Sequence, residues 1–217
     1  MKRKLIHFSL LGIVICLILG LGYLEERTDM LTSFISEHKE SGKEEFQIKN
    51  KYQQRGNGVA EVIFPSIWVE LSKKSIESYE DVASEINELW DVQSAKLNSD
   101  NTIAVFVTKE QWNKEKTKVE IAVNEELKKC ENKGVNVSIS EDMQEIRYLL
   151  TAGCNMSIQS WGMSETIFMG TLLEAQALAG IAPGECKLHE IVENEKTGKI
   201  IVDAVSPGEE YTVTEKQ

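Results

Sequence analysis

A stretch of 20 residues without a charged side chain, residues 5–24, constrains this 217-residue chain more than any other feature. A helix of about 20 apolar residues rises about 30 Å, which matches the hydrocarbon core of a bilayer. Three basic residues precede the stretch, and the acidic segment 25–29 follows it. Because basic flanks stay on the cytoplasmic side, the pattern predicts a single-pass membrane protein with a cytoplasmic N-terminus and an extracytoplasmic C-terminal body.

A cleaved signal peptide is the main alternative to an uncleaved anchor. Cleaved signals have shorter apolar regions, of about 7–15 residues, and end in a pair of small residues. The best candidate here is Gly20-Leu21-Gly22, and there is no Ala-x-Ala. The length therefore favours the anchor, whereas cleavage would make the protein secreted. A soluble protein that buries this segment as a helix is the least favoured alternative.

The rest of the chain is acidic. The 193 residues after residue 24 carry 21 basic and 35 acidic side chains, a net charge of −14. Nucleic-acid binding needs a basic surface, so we expect no nucleic-acid partner. With 41% hydrophobic and 27% charged residues, the chain is neither a disordered acidic tail nor a multi-span membrane protein.

The composition divides the chain into four parts. Residues 1–24 form the predicted anchor, and residues 25–58 form a stalk and linker. The linker ends in 53–58, which contains two glycines and no apolar side chain. A single extracytoplasmic domain of usual size follows at 59–205, and residues 206–217 form a polar tail.

Capping signals predict where two helices begin. Ser78 is followed three residues later by Asp81, and Thr108 by Gln111, which are the spacings of capping boxes. Gly134 fits the left-handed position that ends the second of these helices. We expect the charged run 114–118 to face solvent. The predicted buried stripe of the second helix consists of Trp112, Val119, Val123, Leu127 and Cys130.

The strands and helices from residue 102 onward follow the order strand, helix, strand, strand, helix, strand. This is the split βαβ, or ferredoxin-like, order. It predicts an α+β fold with one mostly antiparallel sheet and both helices packed on one face. Upstream, Pro65 interrupts an apolar stretch, which predicts two short strands or a broken edge strand. The predicted strands are 59–71, 102–108, 135–139, 145–151, 187–193 and 199–205, with hairpins joining 135–139 to 145–151 and 187–193 to 199–205.

The segment 148–184 contains only two charged residues, Glu165 and Glu174. We expect a long loop at 152–163 and a helix that begins at Ser164 and ends near Gly180. This helix is apolar around most of its circumference, so it is either a core helix or a helix covered by a partner. The loop contains residue types that are enriched at interfaces, and long loops often carry function. The predicted contact surface is therefore Met156, Trp161 and Met163.

Signatures of common catalytic sites are absent from the sequence, including the phosphate-binding loop, the zinc-protease helix, the hydrolase elbow and the dinucleotide fingerprint. We therefore predict no cofactor and no metal site. The cysteines of the body, Cys130, Cys154 and Cys186, are widely spaced. They are buried apolar residues, or one pair forms a disulfide, or Cys154 or Cys186 is a nucleophile with His189 as its base. By strand alternation, His189 shares a face with Ile191 and Glu193, and an exposed strand histidine is the simpler interpretation.

These observations lead to one functional expectation and two alternatives. We expect a non-catalytic extracytoplasmic module, anchored in the lipid bilayer through residues 5–24, that binds a protein partner or another copy of itself. The first alternative is a cysteine-dependent enzyme acting on a thiol, a peptide or a cell-wall component. The second is a domain that binds a small apolar ligand under the helix 164–179.

Overall fold

The computed structural model describes residues 45–49, 52–73, 78–92, 94–152, 154 and 158–207, with the backbone alone given for 158–167. The predicted anchor 1–24, most of the predicted stalk and most of the polar tail therefore lie outside the described residues. Within the described ranges, no helix has both the length and the hydropathy that a bilayer span requires.

The described residues alternate between short strands and helices of very different lengths. The two longest helices lie in the second half of the chain: Lys109–Asn132 leads from the smaller of two sheets to the larger, and Ile158–Leu178 connects two strands of the larger sheet. The elements are β1 Ala60–Phe64, α1 Ser66–Ser72, α2 Tyr79–Leu89, β2 Lys96–Leu97, β3 Ile103–Val107, α3 Lys109–Asn132, β4 Val135–Ile139, β5 Glu145–Leu150, α4 Ile158–Leu178, β6 Leu188–Asn194 and β7 Lys199–Ser206.

The strands form two sheets. Sheet A has the order β1-β3-β2 and is antiparallel, and sheet B has the order β4-β5-β6-β7. In sheet B the β4–β5 and β6–β7 pairs are antiparallel hairpins, as predicted, whereas β5 and β6 are parallel. The α+β class is confirmed.

The prediction of a single ferredoxin-like sheet is wrong, although the element order from β3 to β6 is as expected. In that fold the first strand would lie between the strands that correspond to β5 and β6. Here β5 and β6 pair directly over six residues, and β3 is held between β1 and β2 in the other sheet. The upstream strand β1 pairs with all five residues of β3, and this pairing places β3 in sheet A.

The predicted capping boxes are both present. Ser78 and Asp81 exchange side-chain and backbone hydrogen bonds at the start of α2, and Thr108 and Gln111 do the same at the start of α3. Gly134 follows α3 with a φ of +78°, a left-handed conformation that favours glycine. These local signals fix the helix boundaries because they satisfy backbone groups that a helix end leaves without partners.

Two predicted boundaries are wrong. After β1 the chain forms the helix α1 and not a second strand, with Pro65 at its N-cap, where a missing N–H costs nothing. The last helix, α4, begins at Ile158 and not at Ser164. Ser164 has Ile167 three residues later, so no capping box favours a helix start there. Trp161 therefore lies in a helix and not in a loop.

Helix α4 is the centre of the body, which confirms the core-helix alternative for its described half. Phe168 and Leu172 pack with strands of sheet B, while Ala175 and Leu178 pack with strands of sheet A. Trp112 of α3 donates from its indole nitrogen to the Leu178 carbonyl at 3.2 Å. A helix buried on opposite sides needs apolar residues around its circumference, which explains the unusual composition of this segment.

One polar side chain in α4, that of Gln176, is fully buried, and both its amide nitrogen and its amide oxygen form hydrogen bonds. The Gln176 amide donates from Nε2 to the carbonyls of Met143 at 2.7 Å and Lys187 at 2.8 Å. Its Oε1 accepts the Lys187 N–H at 3.2 Å. Gln176 thereby ties α4 to the turn before β5 and to the start of β6.

Residues 45–49, which we call the docked segment, lie against α3. The Asn124 amide accepts the Phe46 N–H at 2.9 Å and donates to the Phe46 carbonyl at 3.1 Å. Glu120 accepts the Ile48 N–H at 2.7 Å, and Ile48 is 2% exposed. The docked segment belongs to the predicted stalk and linker, so the packed body includes residues upstream of 59.

Candidate functional site

One end of sheet B has an open cleft with Cys186 in its lining and with His189 close by. Because β5 and β6 are parallel, they begin at the same end of the sheet, and the antiparallel β7 finishes there. An open cleft of about 430 Å³ lies at this end. It is lined by Gln144, Gly184, Glu185, Cys186, Lys187, Val205 and Pro207.

His189 lies beside this cleft and is held between two carboxylates. Its Nε2 is 2.7 Å from Asp203 Oδ1, and its Nδ1 is 3.6 Å from Glu145 Oε2. The neighbours Leu188 and Glu190 are buried on the opposite side of the strand. The face predicted for His189 is therefore confirmed, but its ring is only 32% exposed because the two acids flank it.

Arg147 extends the same group of charges across the sheet. Its Nη1 is 3.1 Å from Glu193 Oε2, and its Nη2 is 3.7 Å from Glu145 Oε1. We call the five side chains Glu145, Arg147, His189, Glu193 and Asp203 the ionic network. The network surrounds Ile191, which pairs in register with Arg147 and Asp203 and is only 6% exposed.

The network lies on the side of sheet B that points away from α4. Glu145, Arg147 and Asp203 have side chains that are 43, 42 and 58% exposed. We call this side the outer face; it consists of the ionic network with Leu149, Ile191 and Val205. Exposed ion pairs of this kind contribute little to stability, since water and salt screen them.

The chemistry of Cys186 does not support a cysteine–histidine site. Its thiol is 4% exposed and lies 3.9 Å from the Ile181 carbonyl. Burial, with a further contribution from Glu185, raises the pKa of the Cys186 thiol to about 11. A nucleophilic cysteine needs a lowered pKa, so this thiol stays protonated at neutral pH. Both ring nitrogens of His189 face carboxylates instead.

The other two cysteines lie elsewhere, and all three are free thiols. Cys130 is buried on α3, where burial and the neighbouring Glu126 raise the pKa of its thiol to about 11. Cys154 is half-buried beyond the end of β5. The structure therefore places the three predicted thiol positions apart and does not assemble them into one site.

A second group of titratable residues, which we did not predict, lies between α3 and α4. Glu115 is 3% exposed and contacts Lys118 Nζ at 3.0 Å, so the expectation that 114–118 faces solvent is wrong at Glu115. Burial raises the pKa of the half-buried Glu174 to about 8, and the charge of Glu115 adds to this shift. Glu115 lies at helical spacing between Trp112 and Val119, and this spacing was the signal that could have revealed it.

The predicted contact residues are only partly within the described structure. Met156 lies outside the described residues. Trp161 and Met163 fall in the first half of α4, where the backbone alone is described. The prediction of a contact surface at these three residues therefore stays a prediction.

A metal centre has no support within the described ranges, where no three His, Cys, Asp or Glu side chains are arranged to hold an ion.

Comparison with known proteins gives no match: no family model, no curated protein and no solved structure matches the chain.

Proposed function

We propose that the chain is a membrane-anchored extracytoplasmic module that acts by contact with protein, another copy of itself included, and not by catalysis. The anchor is the predicted span at residues 5–24. The observation that carries the proposal is the outer face of sheet B, on which the ionic network surrounds a central apolar residue, Ile191.

The strand arrangement supports a contact role for this face. Parallel strands are usually covered on both sides, because their crossover helices pack on the sheet. The parallel pair β5–β6 has α4 on its inner side, whereas its outer side is covered by the half-exposed side chains of Glu145 and Arg147. A protein partner on the outer face would complete the burial of this pair. Charges of both signs on such a face favour one partner and orientation over others.

Buried residues elsewhere in the body disfavour the two alternative functions. A cysteine-dependent enzyme requires a reactive thiolate, but the thiol beside the cleft, Cys186, is buried and has a raised pKa. A site for an apolar ligand under α4 would need free space there. Phe168, Leu172 and Leu173 are instead fully buried in the described half of that helix.

Site-specific photo-crosslinking tests the proposal. The photoreactive amino acid benzoylphenylalanine would replace Leu149 on the outer face of the full chain, in cells that express the protein natively. The matched control is the same replacement at Asn113, an exposed position on α3. We expect adducts to a protein at position 149 and none at position 113. Equal or absent adducts at the two positions would contradict a contact role for the outer face.

The predicted topology needs its own test. Protease added to intact cells, after removal of any cell wall, should degrade the body and leave a membrane-embedded N-terminal fragment that resists carbonate extraction. A body that stays protected until the membrane is permeabilised would refute the extracytoplasmic placement. A full chain extracted by carbonate would refute the anchor.

A further inference from the structure

We infer that a second copy of this chain is the partner of the outer face, and that the two outer faces cross one another about a two-fold axis. This inference rests on the proposed function and names its partner. The arrangement of the side chains on sheet B carries it. The register of β5, β6 and β7 fixes three rows of positions on this side of the sheet, which are Glu145-His189-Val205, Arg147-Ile191-Asp203 and Leu149-Glu193-Ile200.

A diagonal of apolar side chains divides these rows. Ile191 occupies the central position, and Leu149 lies diagonally from it on the next strand. Arg147 and Glu193 lie on opposite sides of this diagonal, because Arg147 pairs with Ile191 and Glu193 pairs with Leu149. A two-fold axis along the diagonal, in the plane between two facing copies, exchanges the two sides. It therefore places Arg147 of each copy against Glu193 of the other.

A second complementary pair lies farther along the same diagonal. His189 precedes Ile191 on the outer face of β6, and Asp203 pairs with Ile191 from β7. The same axis exchanges these two positions, so the His189 ring of each copy faces the Asp203 carboxylate of the other, which is 58% exposed. Symmetric dimers use one surface patch twice, so the two complementary pairs become four across the contact.

Two other symmetric orientations of the facing copies oppose like charges. An axis parallel to the strands through Ile191 would place Glu193 against Glu193. An axis perpendicular to the strands through Ile191 would place Arg147 against Arg147 and Asp203 against Asp203. Like charges directly opposite one another are unfavourable, so the face selects the diagonal. The strands of the two sheets then cross at a steep angle, as in the orthogonal class of sheet packing.

Covering of the outer face favours this contact, whereas its net charge opposes it. A second sheet would bury the outer side of the parallel β5–β6 pair, and such pairs are usually covered on both sides. Each copy also brings the three carboxylates and one guanidinium of the ionic network, so two copies repel one another at long range. Salt screens this repulsion, and two anchors in one membrane would raise the effective concentration. We therefore expect the dimer at physiological ionic strength.

Mixing two charge-reversed variants tests the inference. The full chain would be studied in a mild non-ionic detergent, at micromolar concentrations and physiological ionic strength, by analytical ultracentrifugation. We expect a wild-type dimer whose dissociation constant rises about tenfold in Arg147→Glu and in Glu193→Arg, because each variant opposes two pairs of like charges. An equimolar mixture of the two variants should restore the dimer, since the heterodimer again opposes unlike charges at both places. Contacts within one chain cannot produce this recovery, because each variant keeps its own altered pair.

Matched controls separate the contact from the change in charge. Lys109→Glu and Glu110→Arg make the same charge changes at exposed positions at the start of α3, and they should leave the dimer unchanged. The ion pair of Arg147 with Glu193 is partly exposed, so its loss should leave the fold intact. Circular dichroism would verify that each variant is folded.

The outcomes distinguish this inference from the proposed function. A monomeric wild-type chain would overturn the second copy as the partner. A mixture that is no more dimeric than either variant alone would do the same, and so would an equal loss in the control variants. In the dimer, position 149 lies on the axis, so its photo-crosslinked adduct should contain two copies of the chain. If position 149 instead forms adducts with a different protein, the contact function stands and only its partner changes. If position 149 forms no more adduct than position 113, the proposed function fails as well.

Discussion

Replacing Gln176 with leucine should destabilise the body strongly, although leucine has a similar volume. The change removes three hydrogen bonds and leaves the carbonyls of Met143 and Lys187 and the Lys187 N–H without their partner. A buried polar group that loses its partner costs about 1–3 kcal/mol. The bond to Met143 is fully buried and the other two are partly buried, so we expect a total loss of about 3–5 kcal/mol.

Urea unfolding of the full chain in a mild non-ionic detergent, followed by circular dichroism, measures this loss. The control is Gln144→Leu, which removes a solvent-exposed hydrogen bond to the Glu185 carbonyl and should cost less than about 1 kcal/mol. The dependence of unfolding free energy on urea should be the same in all variants, because the buried surface is unchanged. If Gln176→Leu is as stable as Gln144→Leu, the amide does not hold α4 between the sheets.

Three further predictions concern the α3–α4 interface, the docked segment and the thiols. Folding raises the pKa of Glu174 from 4.5 to about 8, so the folded state favours the protonated carboxyl. The free energy of unfolding therefore falls as the pH rises from 4.5 to about 8. Glu174→Gln should therefore raise the melting temperature by about 5 °C at pH 9 and leave it unchanged at pH 4. An equal gain at both pH values would contradict the raised pKa of Glu174. Asn124→Ala should cost about 1–2 kcal/mol and speed hydrogen exchange in the docked segment, whereas Asn113→Ala, an exposed change on the same helix, should do neither. Cys130 and Cys186 should react with a disulfide reagent near neutral pH only after unfolding, and rapid reaction of either in the folded chain would contradict its burial.

Local signals in the sequence predicted two of the four described helix starts, those of α2 and α3, and both hairpins of sheet B. Ser78 and Thr108 were identifiable because each is followed by a capping partner at the correct spacing. The start of α4 was missed because Ser164 is polar but has no such partner. The division into two sheets was also missed. The apolar run at 102–108 identifies β3 as a buried strand but carries no information about which distant strand will pair with it.

The candidate site was predictable only in part, for the same reason. Alternation within β6 correctly placed His189 on the outer face. Its carboxylate partners, Glu145 and Asp203, come from two other strands, and their proximity depends on the parallel pairing of β5 with β6. The approach of Glu115 to Glu174 likewise depends on how α3 and α4 pack, which no local pattern encodes.

The docked segment shortens the stretch of chain between the predicted anchor and the packed body. If residues 5–24 span the bilayer, at most the 20 residues of 25–44 separate that span from the docked segment, and not the 34 residues of 25–58. A fully extended chain covers at most about 3.5 Å per residue, so the maximum reach falls from about 120 Å to about 70 Å. With the proposed anchor, Asn124 and Glu120 would therefore hold the body closer to the lipid. The partners accessible to it would then be other proteins close to the same membrane.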